Sequence, residues 1–520
     1  MKYRPLLLCA SAIIFAARAQ NTADAWLSQA ETYFEQQDWN KSEAAARAAL
    51  KLNPRMAEAL VILALIETNR SHLDEAEEHL RNAASLEPSE PRILSYLGST
   101  YLREKRYPEA AAAFEKVLRL DAQNAVAIYN LGLISLAERK PSEALRYFRR
   151  AVDRNPSDVA ARMGVLESEL LLNDKAAVDE SVRKLDSLIP AGDPERLRLA
   201  AMLTSYRDFQ TALPIIEKLR AAHPKDYDLN YDLTLAYYRT GHYAEAEQTA
   251  TNLIGVEPRA EAYDLLGAIE DKLQRYAQAM VSFERAATLD PKNENYRIDY
   301  ASAVLQHATV QKGAALWNSA CRDFPRSWRM HVGLGAALYL SGESDRAAGT
   351  LLAAVHLNPS ASVIYRLLGT LYEAAPDKQA QIMQAFKSYL HLHPKDASAQ
   401  SEYGRMLYLS SQNSGNQNFE PAKIALQKAL AIDPHLAQAN LELAIIAQAA
   451  GHFEESVPLL DRAVAASPAI AEAHYRLALA YRKLGDPDHA KSELDLFAKS
   501  KLASRDRSTR DALLQLIPEK

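Results

Sequence analysis

Cysteine is nearly missing from this chain, with only Cys9 and Cys321 among 520 residues. Fold stability must therefore come from packing rather than from a disulfide framework. Glycine is scarce at 17, aromatic residues make up 8%, and runs of Val, Ile and Thr hardly occur. That shortage works against strands, while Ala and Leu recur throughout and favour helix. A basic surplus is missing too: 61 Lys and Arg stand against 66 Asp and Glu. Such a balance does not attract a phosphate backbone, which speaks against a nucleic-acid partner.

Long hydrophobic runs are absent as well. The most apolar stretch, residues 6–17, has twelve residues, and a membrane-spanning helix needs roughly 20. Met1-Lys2-Tyr3-Arg4 before it is basic, and Ala17-Arg18-Ala19 after it has the small-x-small pattern of a cleavage site. These three parts predict a secretory signal peptide over 1–19 and an exported protein, periplasmic or extracellular, from a bacterium. Leu8 stands before Cys9 where a lipid anchor requires a small residue. Cleavage removes Lys2, Arg4 and Arg18 and no acid, leaving 58 basic against 66 acidic residues, and Cys321 as the single thiol.

Catalytic signatures are missing in turn. No His-Glu-x-x-His and no phosphate-binding loop occurs. Gly333-Leu-Gly335 starts like a dinucleotide fingerprint, but Leu338 stands where the third glycine belongs. His391 and His393 are two apart, which on a helix turns them to opposite sides. No catalytic residue, metal site or cofactor is expected, and Cys321 is expected to be a buried, inert thiol.

What is present is a repeat. Pro54 and Pro88 are 34 residues apart, and Pro156, Pro190, Pro224 and Pro258 keep that spacing. Pro291, Pro325, Pro359, Pro394, Pro434 and Pro468 follow at 33, 34, 34, 35, 40 and 34. Ala122 fills the one gap. Each proline follows a helical run and stops it, because it lacks an amide hydrogen and disfavours helix before it. A second break falls within the period, as at Gly241, Gly342 and Gly451, where glycine takes a left-handed conformation. Each period therefore holds two helices of roughly a dozen residues.

Counting each repeat from three residues after the preceding proline, small residues recur. Position 8 is Gly98, Gly132, Gly267, Gly335, Gly369 and Gly404, or alanine as at Ala30 and Ala64. Position 20 is Ala76, Ala110, Ala144, Ala212, Ala246, Ala279, Ala347, Ala422 and Ala490. Bulk sits at position 24, as Leu80, Phe114, Phe148, Phe283, Trp317 and Leu351, and position 27 is small again. Large beside small at helical spacing predicts closely packed helix pairs.

Leu97-Gly98-Ser-Thr-Tyr101…Ala110…Phe114 and Leu368-Gly369-Thr-Leu-Tyr372 resemble the tetratricopeptide-repeat family. The resemblance implies an all-α, right-handed superhelical solenoid of about fourteen helix-turn-helix repeats. Their bounds are 23–56, 57–90, 91–124, 125–158, 159–192, 193–226, 227–259, 260–293, 294–327, 328–361, 362–396, 397–436, 437–470 and 471–500. The fifth departs from the pattern at Val165, Leu166 and Val178, and the ninth at Gly313. The solenoid is expected over 20–500, with a surface loop at Gln412–Asn418 and a capping helix over 501–520.

The family takes its ligand in a concave groove lined by first-helix positions 2, 5, 9 and 12. By resemblance this groove carries Tyr231, Tyr238, Glu261, Asp264 and Asp271, then Arg329, Arg366, Arg405 and Arg482. It is expected to run from acidic in the middle to basic near the C-terminus. The Lys/Asn clamp of some relatives is absent, since Ser95, Ser99, Ala160 and Gly164 surround Asn130. The expectation is a non-catalytic scaffold for protein or peptide partners in envelope assembly, secretion or polysaccharide export. Alternatives are a regulatory subunit of an envelope enzyme and a pentatricopeptide-like RNA binder.

Overall fold

The structure is a computed structural model that describes residues 22–190, 192–415 and 418–505. The expected signal peptide lies outside the described residues. Among those described there is no strand, and 28 α-helices follow one another along the chain. The chain divides into two compact units, one ending at Thr240 and the other starting at Gly241. Each is a stack of helix pairs held mainly by contacts between helices that are close in the chain.

Within the first unit, helices Ala57–Asn69 and Leu73–Leu86 show how a pair is made. The first helix ends where Ser71 takes φ 67°. The His72 amide then donates back to the Glu67 carbonyl at 2.9 Å, and the Ser71 amide to the Thr68 carbonyl at 3.2 Å. These two bonds close off orphan carbonyls at the helix end. The next helix starts two residues later.

Glycine is not required at this turn, contrary to what Gly241, Gly342 and Gly451 suggest. Gln37, Lys105, Arg139, Asn173, Arg207 and Gln274 hold the same left-handed conformation with φ near 60°. The returning hydrogen bonds compensate a cost of roughly 1–2 kcal/mol for a residue bearing a Cβ.

The large-against-small packing is direct. A Cβ built on Gly98 would lie 2.9 Å from the Phe114 ring, and one on Gly132 2.7 Å from Phe148. The second unit repeats this with Gly267 on Phe283 and Gly404 on Leu426. The alanines at position 20 from Ala76 to Ala347 are fully enclosed. Burying each large side chain stabilises the stack by about 1.5–3 kcal/mol.

The fifth repeat reaches the same packing by another route. Its helices Val159–Leu171 and Lys175–Leu188 bury Val178, Val182 and Leu185 in place of the usual Ala, Phe and Ala. Its glycine has moved two places, and Gly164 lies on Phe148 of the preceding repeat. The ninth repeat has a shorter turn: Glu294–His307 is followed by Val310–Asp323 after only two residues. A Cβ on Gly313 would lie 2.6 Å from the Leu305 Cα, so the glycine is what lets these helices approach.

Two boundaries differ from expectation, and the eleventh repeat is irregular. The helix Ala397–Asn413 continues through Gln412, which donates to the Tyr408 hydroxyl, so the loop begins later than composition suggests. In the eleventh repeat Ser362–Leu371 ends early and a 3-10 turn over Pro376–Lys378 precedes the next helix. The boundary at 500 falls inside Pro487–Arg505, which passes it unbroken. Residues 506–520 lie outside the described residues.

Candidate partner-binding groove

In the first unit, Tyr231 and Tyr238 lie on the helix Tyr227–Arg239, two turns apart. Asp226 caps this helix, its carboxylate accepting from the Leu229 amide at 3.0 Å. Both tyrosines are half-buried. The Arg239 guanidinium lies 5.6 Å from the Tyr238 ring centre, within reach of a cation–π contact.

The other candidates belong to the second unit. Asp264 is only 7% exposed. Asp271 accepts from His307 Nε2 at 2.8 Å, and the His307 ring stacks on Tyr276 with centres 3.8 Å apart. Arg329 donates to Asn295 at 2.8 Å. Arg366 and Arg482 are exposed on separate helices. Sequence position thus selects a series of sites, but the structure does not gather them into one.

Arg405 is the exception. Its guanidinium reaches Glu373 at 2.6 Å, Glu402 at 3.1 Å and the Gly369 carbonyl at 2.9 Å. It forms one wall of a crevice of about 650 Å³ built from successive first helices, with Tyr408, Glu442, Gln448, Glu472 and Arg476. Arg476 in turn holds Glu472 at 2.7 Å.

This region corrects the expected charge gradient. Around Arg405 the groove is not basic, because each arginine is neutralised by acids on its own helix or in a neighbouring repeat. Four carboxylates, Glu373, Glu402, Glu442 and Glu472, face two guanidinium groups.

Glu442 is the carboxylate left over. It is 5% exposed. Its one hydrogen bond among the described residues comes from Gln438 Nε2 at 2.8 Å. Burial pushes its carboxyl up to about 7, against the opposing pull of Arg405. Gln448, on the same helix and lining the same crevice, is 7% exposed. Its Nε2 donates to Ser456 Oγ at 3.1 Å and to the Arg476 carbonyl at 3.0 Å. Those acceptors fix the amide orientation and leave Oε1 with no partner.

Glu442, Glu402 and Arg476 were overlooked in the sequence because all three stand at position 6, outside the four groove positions considered. Following position 6 through the last three repeats would have exposed the series Glu402, Glu442, Arg476.

One model of the tetratricopeptide repeat matches residues 27–71, 69–125, 301–362, 341–402 and 441–498. Two further models of the same repeat match 101–164, 203–269 and 260–293. The chain is a tetratricopeptide-repeat protein. This tetratricopeptide-repeat chain is similar to the type IV pilus assembly protein PilF of Pseudomonas aeruginosa, 28% identical over 150 residues, covering 28% of this chain and 58% of that protein. It is 30% identical over 132 residues to the human protein O-mannosyl-transferase TMTC3, covering 25% of this chain and 14% of the transferase. The chain thus spans less than two thirds of either relative. Among solved structures, it is similar to the APC/C hetero-tetramer Cut9–Hcn1 at 15% identity and TM-score 0.33, over 88% of this chain and 96% of that one. Among the described residues no helix is long and apolar enough to cross a membrane.

Proposed function

We propose that this tetratricopeptide-repeat protein is a non-catalytic scaffold that binds partner proteins or peptides on its first-helix faces. The observation that carries the reading is the crevice around Arg405 and Glu442, where charged and aromatic side chains from successive repeats face a shared space. Stacked repeats offer extended surfaces of this kind. Tyrosine and arginine, as at Tyr231, Tyr238 and Arg405, are common energetic anchors of interfaces.

The setting in this reading is the bacterial envelope, in assembly, secretion or polysaccharide export. Its supports are the signal-like pattern over 1–19 and the similarity to a pilus assembly protein. A nucleic-acid partner fits poorly with the acid excess of the chain and of the crevice.

The test is affinity capture from the cell envelope of the source bacterium, with wild type beside two variants. Tyr231→Ala with Tyr238→Ala, and separately Arg405→Ala, should each weaken recovery of the same partner while circular dichroism stays unchanged. Equal recovery by all three proteins would refute the groove as the binding surface.

A further inference from the structure

We propose that the crevice formed by Glu373, Arg405, Glu442, Gln448 and Arg476 is a cation site that takes a lysine or arginine side chain of a bound protein segment. The proposal rests on the scaffold reading above and names the chemistry its second unit recognises.

The geometry begins with what is already paired. Arg405 is committed to Glu373 and Glu402, and Arg476 to Glu472. Neither is available to Glu442 as a full counter-ion. Glu442 is almost wholly buried yet holds a single neutral donor, Gln438. Gln448 adds a second acceptor, because its amide nitrogen is anchored and its Oε1 has no partner. Both residues line the same hollow. A buried carboxylate with one neutral donor and an amide oxygen with none are costly in isolation and ask for a donor from outside. An ammonium or guanidinium group supplies several donors and the missing positive charge.

Charge decides the sign of the ligand. Glu373, Glu402, Glu442 and Glu472 outnumber Arg405 and Arg476, so an acidic segment would meet like charge. The aromatic ring of Tyr408 on the same wall gives the aliphatic stem of a lysine or arginine an apolar contact. Burial holds the Glu442 carboxyl near neutrality in the free protein. An arriving cation favours the ionised form, so binding releases a proton and must strengthen as pH rises through 7.

The experiment uses the full chain and fluorescein-labelled, end-blocked peptides of alternating lysine and alanine, read by fluorescence polarisation. Controls carry glutamate or Nε-acetyl-lysine in place of lysine. The lysine peptide should bind, and both controls should not. Its affinity should rise about tenfold from pH 6 to pH 8, as ionisation of one group near pH 7 requires. Glu442→Gln should lower affinity at pH 8 by about tenfold or more and flatten that dependence. Should the variant fail to fold, the wild-type pH profile and the acetyl-lysine control still decide.

Tighter binding of the glutamate peptide, or an unchanged affinity and pH profile in Glu442→Gln, would overturn the proposal. An array that captures its partner but ignores the lysine peptide also overturns it, and leaves the scaffold reading standing.

Discussion

A Cβ placed on Gly267 would lie 2.8 Å from Cδ1 of Phe283, closer than real side chains approach. The first helix of this pair therefore presents bare backbone to the ring on the second. Gly267→Leu should cost roughly 1–3 kcal/mol by overpacking. Ala279→Leu should cost a similar amount, since Ala279 is fully enclosed. Chemical denaturation provides the measurement. A variant as stable as wild type would show the pair to be loosely packed.

Glycines elsewhere in the helices test the same principle with the opposite sign. Gly255 lies within Tyr243–Val256, with no atom within 4 Å of an added Cβ. Gly255→Ala should stabilise by up to about 1 kcal/mol through helix propensity alone. Gly313→Ala brings the same propensity gain but drives a methyl into the backbone at Leu305. It should destabilise by roughly 1–3 kcal/mol. Thermal melts of the two variants should move in opposite directions. A shift in the same direction would remove the steric account of the ninth repeat.

Glu442 links stability to pH. Its folded value of about 7 lies above the ordinary 4.5, so the folded form holds the proton more tightly. Stability from this group is therefore fully present below pH 4.5 and is lost as pH rises towards 7. At 1.36 kcal/mol per unit, the loss is about 3 kcal/mol. Glu442→Gln cannot ionise, so the helix Ala437–Ala449 should be better protected than in wild type at pH 8 and equally protected at pH 4. Amide hydrogen exchange reads this locally. Equal protection at both pH values would mean that Glu442 is solvated.

Cys321 should be inert in the folded chain. Burial pushes its thiol up to about 12, which leaves almost no thiolate at pH 8. Iodoacetamide should label it slowly until denaturant is added, as followed by peptide mass spectrometry. Rapid labelling of the native protein would contradict its half-buried setting.

The fold was legible because its information is local and repeated. Proline spacing, alanine at position 20 and bulk at position 24 recur often enough to place helix pairs without any long-range knowledge. Gly98 and Phe114, Gly132 and Phe148, and Gly267 and Phe283 then meet as their positions in the repeat imply. The mid-repeat turn was only partly legible. Glycine marks it in some repeats, but hydrogen bonding holds Lys105 and Arg139 in the same conformation without a compositional sign.

The sequence by itself determined the helix pairs and the packing positions, because each depends on residues within about one repeat of each other. Tertiary structure alone decided which polar groups remain uncompensated. Arg405 and Glu373 are 32 residues apart, in neighbouring repeats, yet their pairing removes the positive charge expected there. Glu442 lacks a cation because those partners are taken and because packing shields it from water. Burial and pairing depend on every helix that closes around a side chain. No single repeat contains that information, and the chemistry of the crevice follows from it.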